Sequence, residues 1–237
     1  MQKNDNSNKW LFITALSFLI LDQATKLYFK GFSFYGIEHD GLQYGVIEVI
    51  GDFVKFVYVE NPGMAFGMKF IPKIFLSLFS IFAGIGLAIY LHRLKGYSIW
   101  VRIGIMLIFA GAAGNLIDRV FYGVIFNEQP SVFMMNPIDK FVYQDIFAGV
   151  PIFYGHVVDF IQVDIPDINI LGLYYTHWPV FNVADSCVSV GVVLLLIVHH
   201  KIPPFGEVFG KEKNIVEKPQ PPESGDTEED GVIHDER

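Results

Sequence analysis

Two aspartates stand in apolar surroundings, where a charged side chain is expensive. Asp159 lies within the apolar run 157–161, and Asp185 lies near the start of the apolar run 183–198. Ionisable residues in such surroundings are functional candidates by default. Both aspartates are therefore candidates for a polar site. The structural alternatives are a solvated loop acid at 159 and a first-turn helix acid at 185.

Further polar side chains occur at helical spacing inside apolar stretches. Asp22 and Lys26 are four residues apart, as are Asn115 and Arg119, and Asn182 precedes the last apolar run. Such residues at membrane depth are functional candidates by default. Each also has a structural reading: an ion pair within a bundle, an arginine reaching the headgroups, and a helix N-cap.

Other site chemistry has weaker support in the sequence. Asn61 is followed by two glycines, the first being Gly63, and this segment could be a polar site or only a turn. His156 and Asp159 are a weak metal-ligand pair, so no metal is expected. Cys187 is the only cysteine and lies in an apolar run, which indicates an inert thiol rather than a nucleophile.

The composition places these residues in a membrane protein. Of 237 residues, 52% are hydrophobic and only 18% are charged, and the mean hydropathy is +0.39. Such an apolar composition excludes a disordered chain and a coiled coil, and it makes an ordinary soluble enzyme an unfavourable interpretation. The net charge of −8 offers no basic surface for nucleic acid.

Four apolar stretches approach the length of a membrane-spanning helix, which is about 20 residues. They are 10–29, 72–91, 99–117 and 183–198. The first is too long for a signal peptide and lacks a small-residue cleavage site. We therefore predict four transmembrane helices.

The distribution of basic residues predicts the orientation. The short loop between the second and third helices carries Arg93, Lys95 and Arg102 and no acidic residue, whereas the segments 31–69 and 120–180 are acidic. Both termini are therefore expected in the cytoplasm and the two long segments outside.

The outer segments are predicted to be structured. Residues 46–50 and 53–59 are rich in strand-forming side chains and flank Gly51-Asp52, which is typical of a hairpin. Nine aromatic residues in 121–156 favour an ordered loop. The tail 205–237 has ten acidic and four basic residues without periodicity, which favours a disordered cytoplasmic appendage.

Two other classes of protein fit some of these features. Intramembrane polar residues could line the pathway of a proton- or ion-coupled transporter, although the inner halves of the helices look apolar. A membrane scaffold could use the aromatic loop to bind partners, and both aspartates would then be dispensable.

Five short motifs, in order, resemble those of the lipoprotein signal peptidases, the aspartic signal peptidase II family of bacterial plasma membranes. The motifs are Leu21-Asp22-Gln23-x-x-Lys26, Asn61-x-Gly63-x-Ala65-Phe66-Gly67, Gly111-x-x-Gly114-Asn115-x-x-Asp118-Arg119, Val158-Asp159-Phe160 and Phe181-Asn182-x-Ala184-Asp185. Their order and spacing agree along residues 10–200.

The resemblance implies an all-α membrane protein, with four transmembrane helices, a small extracytoplasmic β-element from 31–69 and an enlarged second outer loop in 120–180. The peptidase domain would be 1–204. By motif, Asp159 and Asp185 occupy the catalytic positions. The supporting positions are held by Asn61, Gly63, Asn115, Arg119, Asn182, Asp22 and Lys26. Met64 and the long insertion after Arg119 depart from the usual pattern.

The resemblance also implies the substrate and the setting. The substrate would be a diacylglyceryl-modified prolipoprotein, cleaved just before its lipidated cysteine at the outer face of the bacterial plasma membrane. The partners would be this substrate and membrane lipid, without nucleic acid. No cofactor is implied, and the chain is expected to act as a monomer.

Overall fold

Long apolar helices form the body of the protein. The computed structural model describes residues 8–32, 46–62, 72–128, 130, 135–170 and 173–210. The four long helices are α1 (Lys9–Leu27), α2 (Lys73–Arg93), α3 (Ile99–Ile117) and α5 (Val183–Ile197). Each overlaps a stretch predicted from hydropathy, and the bounds of α3 coincide with the prediction.

Three helical stretches in the described chain are long and apolar enough to cross a membrane. They are Lys9–Lys30, Lys73–Arg93 and Ile99–Ile125. A fourth span results if α5 is taken together with the helical residues after it, which turn away by 76°. The protein is thus a multi-pass membrane protein with three or four spans.

Two of the helices change their winding at one end. After α1 the chain makes a π-helical turn, Tyr28–Phe32, and after α3 it makes another, Asp118–Tyr122, followed by the helical residues Gly123–Ile125. Such turns are rare and frequently lie at functional sites, because they redirect the side chains of the helix. Asp118, the first residue of the second turn, is fully buried.

A four-stranded antiparallel sheet covers one end of the bundle. Its order is β1 (Ile47–Ile50), β2 (Val54–Asn61), β3 (Val157–Ile170) and β4 (Leu173–His177). The predicted hairpin is confirmed, because β1 pairs with β2 around a turn in which Gly51 has φ +46°. A positive φ is accessible to glycine without a steric penalty.

The β-element is larger than the sequence predicted. It was expected from 31–69 alone, but half of its strands come from the second outer segment. The first four residues of β3, 157–160, are buried on both faces. They therefore lack the alternation of apolar and polar residues that identifies a half-exposed strand.

Small residues allow α3 and α5 to pack closely. A side chain at Gly111 would collide with the backbone of Ala184, and one at Gly114 would come within 2.6 Å of Oδ2 of Asp22. The glycines of the run 111–114 therefore bring the polar residues of α1, α3 and α5 together, as well as tightening the apolar core.

An aromatic cluster joins the sheet to the bundle. Phe29 stacks on Phe160 with ring centroids 4.4 Å apart, and both rings meet Phe56 edge to face. Phe29 and Phe160 are buried, together with Tyr122 and Val158. This cluster fixes β3 against the ends of α1 and α3.

The described residues of 121–156 pack against the start of α2. They include α4 (Pro137–Phe141) and a π-helical turn, Val142–Ile146. Asp139 of α4 is buried and accepts hydrogen bonds from the backbone N–H groups of Lys73 and Ile74, at 2.8 and 3.2 Å. The insertion therefore caps a membrane helix that lies far from it in sequence.

The packed chain extends further than the predicted boundary at Pro204. Residues Phe205–Phe209 form a short helix, α6, and Phe209 stacks on Tyr90 while Arg93 lies over its ring. These apolar contacts explain why the first residues of the expected tail are ordered. Residues 211–237 lie outside the described part of the chain.

Candidate active site

Asp185 is held by the first turn of α5. Its backbone N–H donates to Oδ1 of Asn182 at 2.9 Å, and its Oδ2 accepts from the backbone N–H of Asn182 at 3.3 Å. This reciprocal capping box fixes both side chains. Asn115 of α3 donates from Nδ2 to Oδ1 of Asp185 at 2.8 Å. Asp185 therefore caps its helix and also belongs to the polar cluster.

Asp159 lies on β3 and is buried. Its carboxylate is directed at Asn182, whose Nδ2 donates to Oδ1 of Asp159 at 2.7 Å. Asn61, near the end of β2, donates from Nδ2 to Oδ2 of Asp159 at 3.3 Å. The solvated-loop alternative is therefore wrong, and Asn182 connects the two aspartates.

Burial raises the pKa of Asp159 to about 7, and the nearby charge of Asp185 adds to this shift. Hydrogen bonds from Asn61 and Asn182 act in the opposite direction because they stabilise the ionised form. Near neutral pH, a large fraction of Asp159 is therefore protonated and able to donate a proton.

A buried ion cluster supports the two asparagines. Lys26 binds Asp22 at 2.8 Å and Asp118 at 2.7 Å, and its Nζ also donates to Oδ1 of Asn115 at 2.9 Å. Gln23 donates to Oδ1 of Asp118 at 2.8 Å. The predicted Asp22–Lys26 pair is thus part of a larger cluster.

Asp22 also holds the start of α5. Its Oδ1 accepts from the backbone N–H of Ala184 at 2.8 Å, one of the N–H groups that a helix leaves unpaired at its N-terminus. One carboxylate of α1 therefore positions both Lys26 and the helix that carries Asp185.

The structure brings Arg119 to the same region. Its guanidinium lies close enough to Asp185 and Asp159 to attract both carboxylates. Its buried Nε has no hydrogen-bond partner in the described chain. Gly63, the remaining predicted site residue, lies outside the described residues.

A second charged cluster lies beside Asn61 and was not predicted. Lys30 binds Glu60 at 2.6 Å and also contacts Glu128, and Nδ1 of His156 lies 3.0 Å from Glu60. The hydrogen bond from His156 contributes most to lowering the pKa of Glu60, to about 2, against the effect of burial. The resemblance gave no signal for this cluster, since Lys30, Glu60, Glu128 and His156 lie outside its motifs.

This second cluster also contains the described residues that could hold a metal ion. Ligand atoms of Glu60, Glu128 and His156 all lie within 4.8 Å of one another. The ammonium group of Lys30 already binds both carboxylates, so a cation would have to compete with it. His156 faces these glutamates, rather than Asp159 as the sequence suggested.

The arrangement around Asn182 is suited to acid–base hydrolysis. It combines a buried carboxyl group with a raised pKa, a second carboxylate in a helix cap, and amide groups that orient both. The only cysteine, Cys187, is buried in the apolar helix α5 and makes no hydrogen bond with the polar groups described above. A mechanism through a bound water is therefore favoured over a covalent one.

Comparisons with known proteins agree with this chemistry. The family model described as Signal peptidase (SPase) II matches residues 14–201. A lipoprotein signal peptidase of Chlorobium phaeobacteroides is 31% identical over 195 residues, which cover 82% of this chain and 92% of that protein. One of Porphyromonas gingivalis is 35% identical over 188 residues, covering 76% and 78%.

Among solved structures, a bacterial membrane enzyme aligns with 87% of this chain and 94% of its own, at 25% identity and a TM-score of 0.50. The matches to the family and to the relatives span both the helical bundle and the sheet.

Proposed function

The chain belongs to the signal peptidase II family, and we propose that Asp159 and Asp185 are the catalytic pair with which it cleaves prolipoproteins. The observation that carries this assignment is the side chain of Asn182, which binds Asp159 through Nδ2 and the first turn of α5, at Asp185, through Oδ1. The activity is that of an aspartic endopeptidase in a bacterial membrane.

The two carboxyl groups have different roles in the proposed reaction. Asp185 accepts hydrogen bonds from Asn115 and from the backbone of Asn182, and it is the proposed general base. Asp159 is buried and carries the proton. Its Oδ2 is the better position for that proton, because Oδ1 already accepts the shorter hydrogen bond.

Hydrolysis then takes place in two stages, and each stage includes two proton transfers. Asp185 takes a proton from a water as the water oxygen attacks the scissile carbonyl carbon, and Asp159 protonates the carbonyl oxygen. The resulting tetrahedral diol collapses when Asp185 passes its proton to the amide nitrogen and Asp159 recovers its own from a hydroxyl. The C–N bond breaks, and both residues return to their starting states.

The surrounding polar side chains position this pair. Asn115 and Asn182 hold the aspartates, and Lys26 with Asp22 holds Asn115 and α5. Arg119 faces the pair from the π-helical turn after α3, and Asn61 faces it from β2. Gly63 is assigned to substrate binding by its motif alone.

The site is proposed to lie at the outer membrane surface. Arg93, Lys95 and Arg102 lie near the opposite end of the bundle, where the positive-inside rule favours the cytoplasm. Counting α5 as a span gives four spans, and both termini then lie in the cytoplasm. The substrate's acyl chains can remain in the lipid while its peptide reaches the aspartates.

We also propose the domain boundary, the partners and the oligomeric state of the protein. One membrane domain carries the site and continues to Gly210, and the acidic residues after it form a cytoplasmic appendage. The partners are a diacylglyceryl-modified prolipoprotein and membrane lipid, without a cofactor, a metal or nucleic acid. A single chain contains both aspartates, so we propose that the protein acts as a monomer.

Asparagine substitutions test the catalytic pair. Asp159→Asn and Asp185→Asn keep the size of each side chain and much of its hydrogen bonding, but neither can exchange the required proton. Each variant should be inactive on a lipidated precursor, and the double variant should be no less active than either single one, because the pair acts as a unit. Substantial turnover in a folded single variant would remove that aspartate from the pair.

A further inference from the structure

A small cavity lies between the insertion and the start of α2. It is lined by Pro62, Lys73, Leu76, Ser77, Arg119, Phe153 and Gly155. Its enclosed volume is about 10 Å³, which leaves room for about one water-sized group. The cavity therefore suits a single small chemical group.

Ser77 has a buried hydroxyl group without a partner in the described chain. The residue is 1% exposed, and its Oγ makes no hydrogen bond. Five other serine and threonine hydroxyl groups in the long helices donate to the carbonyl oxygen four residues earlier. They are those of Thr14, Ser17, Thr25, Ser80 and Ser186. Ser77 makes no such bond, and the residue lines the cavity.

Arg119 lines the same cavity and carries a second unpaired donor. Its Nε is buried and has no hydrogen-bond partner within the described residues. Buried polar groups are nearly always paired, because an unpaired one costs free energy. Two unpaired donors at one cavity therefore indicate a missing acceptor.

The chemistry of the lining specifies that acceptor. Among its described lining residues, Lys73 and Arg119 are basic, Ser77 is a hydroxyl donor, and none is acidic. Arg119 also attracts the carboxylates of Asp159 and Asp185, so the cavity adjoins the proposed catalytic pair. A carbonyl oxygen of a substrate bound at that pair fits both the size and the donors.

We propose that Ser77 and Arg119 form a subsite for a carbonyl oxygen of the lipid-modified precursor. The inference rests on the proposed function and adds Ser77, on α2, as a substrate-binding residue. The carbonyl belongs either to the peptide next to the cleaved bond or to an ester of the diacylglyceryl group.

Ser77→Ala tests the subsite. The KM for a diacylglyceryl-modified precursor should rise about five- to tenfold, the loss expected for one hydrogen bond, with little change in kcat. The melting temperature should not fall, because the hydroxyl has no partner within the described protein. Ser80→Ala is the matched control on the same helix, since the Ser80 hydroxyl bonds Leu76 and lies outside the cavity lining. Its KM should stay at the wild-type value.

A precursor with ether-linked chains distinguishes the two sources of the carbonyl. If the effect of Ser77→Ala persists with this precursor, the peptide supplies the oxygen, and if it disappears, the ester does. An unchanged KM with both precursors would overturn the subsite, and so would an equal rise in Ser80→Ala or a lower melting temperature in Ser77→Ala. The proposed function would still stand if Asp159→Asn were inactive in the same assay.

Discussion

Asn182 donates from Nδ2 to Oδ1 of Asp159 at 2.7 Å, joining the N-cap of α5 to the third strand of the sheet. The same side chain caps α5 through Oδ1, at 2.9 Å from the backbone nitrogen of Asp185. The two hydrogen bonds fix which way the amide faces. The distance between the aspartates thus depends on one fully buried asparagine.

Asn182→Ala should therefore lose both stability and activity. Removing the cap costs about 1 kcal/mol, and Asp159 loses its shorter hydrogen bond. We expect turnover to fall by about 100-fold or more, because misplacement of catalytic groups by 1 Å has effects of this size. Cleavage of a lipidated precursor and thermal unfolding in detergent measure the two losses.

Asn182→Ser separates the cap from the bridge. Serine is a good N-cap, but its shorter side chain cannot also reach Asp159. Stability should return towards the wild type while turnover stays low. Recovery of both properties would mean that the bridge is unimportant for catalysis.

Much of the helical fold was predictable, because long apolar runs determine membrane helices locally. The bounds of α3 matched residue for residue, and the hairpin followed from Gly51-Asp52 between two strand-forming runs. By contrast, the pairing of β3 with β2 was not predictable. It joins residues about 100 positions apart, and β3 begins with a run buried on both faces.

The polar residues of the candidate site stand out in the sequence, but their connections do not. The motif resemblance identified Asp159, Asp185 and Asn182, yet only the fold places Asn182 between the two aspartates. Ser77 and Asp139 gave no usable signal. A serine in an apolar helix ordinarily bonds its own backbone, and an acid in a long outer loop is ordinarily solvated.

Asp22→Ala should reduce the stability of the folded protein, because Asp22 has a structural role. The substitution removes one of two carboxylates from the buried Lys26 and leaves the N–H of Ala184 without its acceptor. Breaking a buried ion pair costs about 3–5 kcal/mol. The melting temperature and the yield of folded protein should both fall.

Asp52→Ala is the comparison for an exposed ion pair. Asp52 is 94% exposed and lies 3.7 Å from Lys55, so its removal should change stability by less than about 0.5 kcal/mol. If Asp22→Ala instead kept its stability and lost all turnover, Asp22 would belong to the catalytic apparatus.

Asp139→Ala should loosen the start of α2. Its carboxylate caps Lys73 and Ile74, and such caps contribute about 0.5–2 kcal/mol. Because Ser77 lies one turn further along the same helix, the KM for precursor should also rise. Asp145→Ala, an exposed acid of the same insertion, should change neither property. A normal melting temperature for Asp139→Ala would show that the insertion does not brace α2.

Truncation should separate the packed residues 205–210 from the acidic residues after them. Ending the chain after Gly210 should leave cleavage within a few-fold of the wild type, since the acidic residues beyond have too few apolar side chains to build a core. Ending it after Pro204 also removes the Phe209–Tyr90 stack and should lower the melting temperature. Equal stability of the two truncated proteins would contradict a structural role for α6.

The raised pKa of Asp159 predicts a characteristic pH dependence of activity. If the protonated carboxyl is the proton donor, kcat/KM should fall as pH rises through about 7, by about tenfold per unit well above that value. A rate that stays constant from pH 6 to pH 9 would contradict this role.

The same shift predicts how stability depends on pH. Between the ordinary pKa of 3.8 and about 7, the unfolded chain has released the Asp159 proton while the folded protein still holds it. The folded state then binds more protons, so stability falls as pH rises across this window and levels off above it. Asp159→Asn has no proton to lose at this position. It should therefore gain stability relative to the wild type as pH rises, by on the order of 2–4 kcal/mol at pH 8. Thermal unfolding of both proteins at pH 5 and pH 8 in one detergent measures the difference, and equal slopes would show that Asp159 ionises normally.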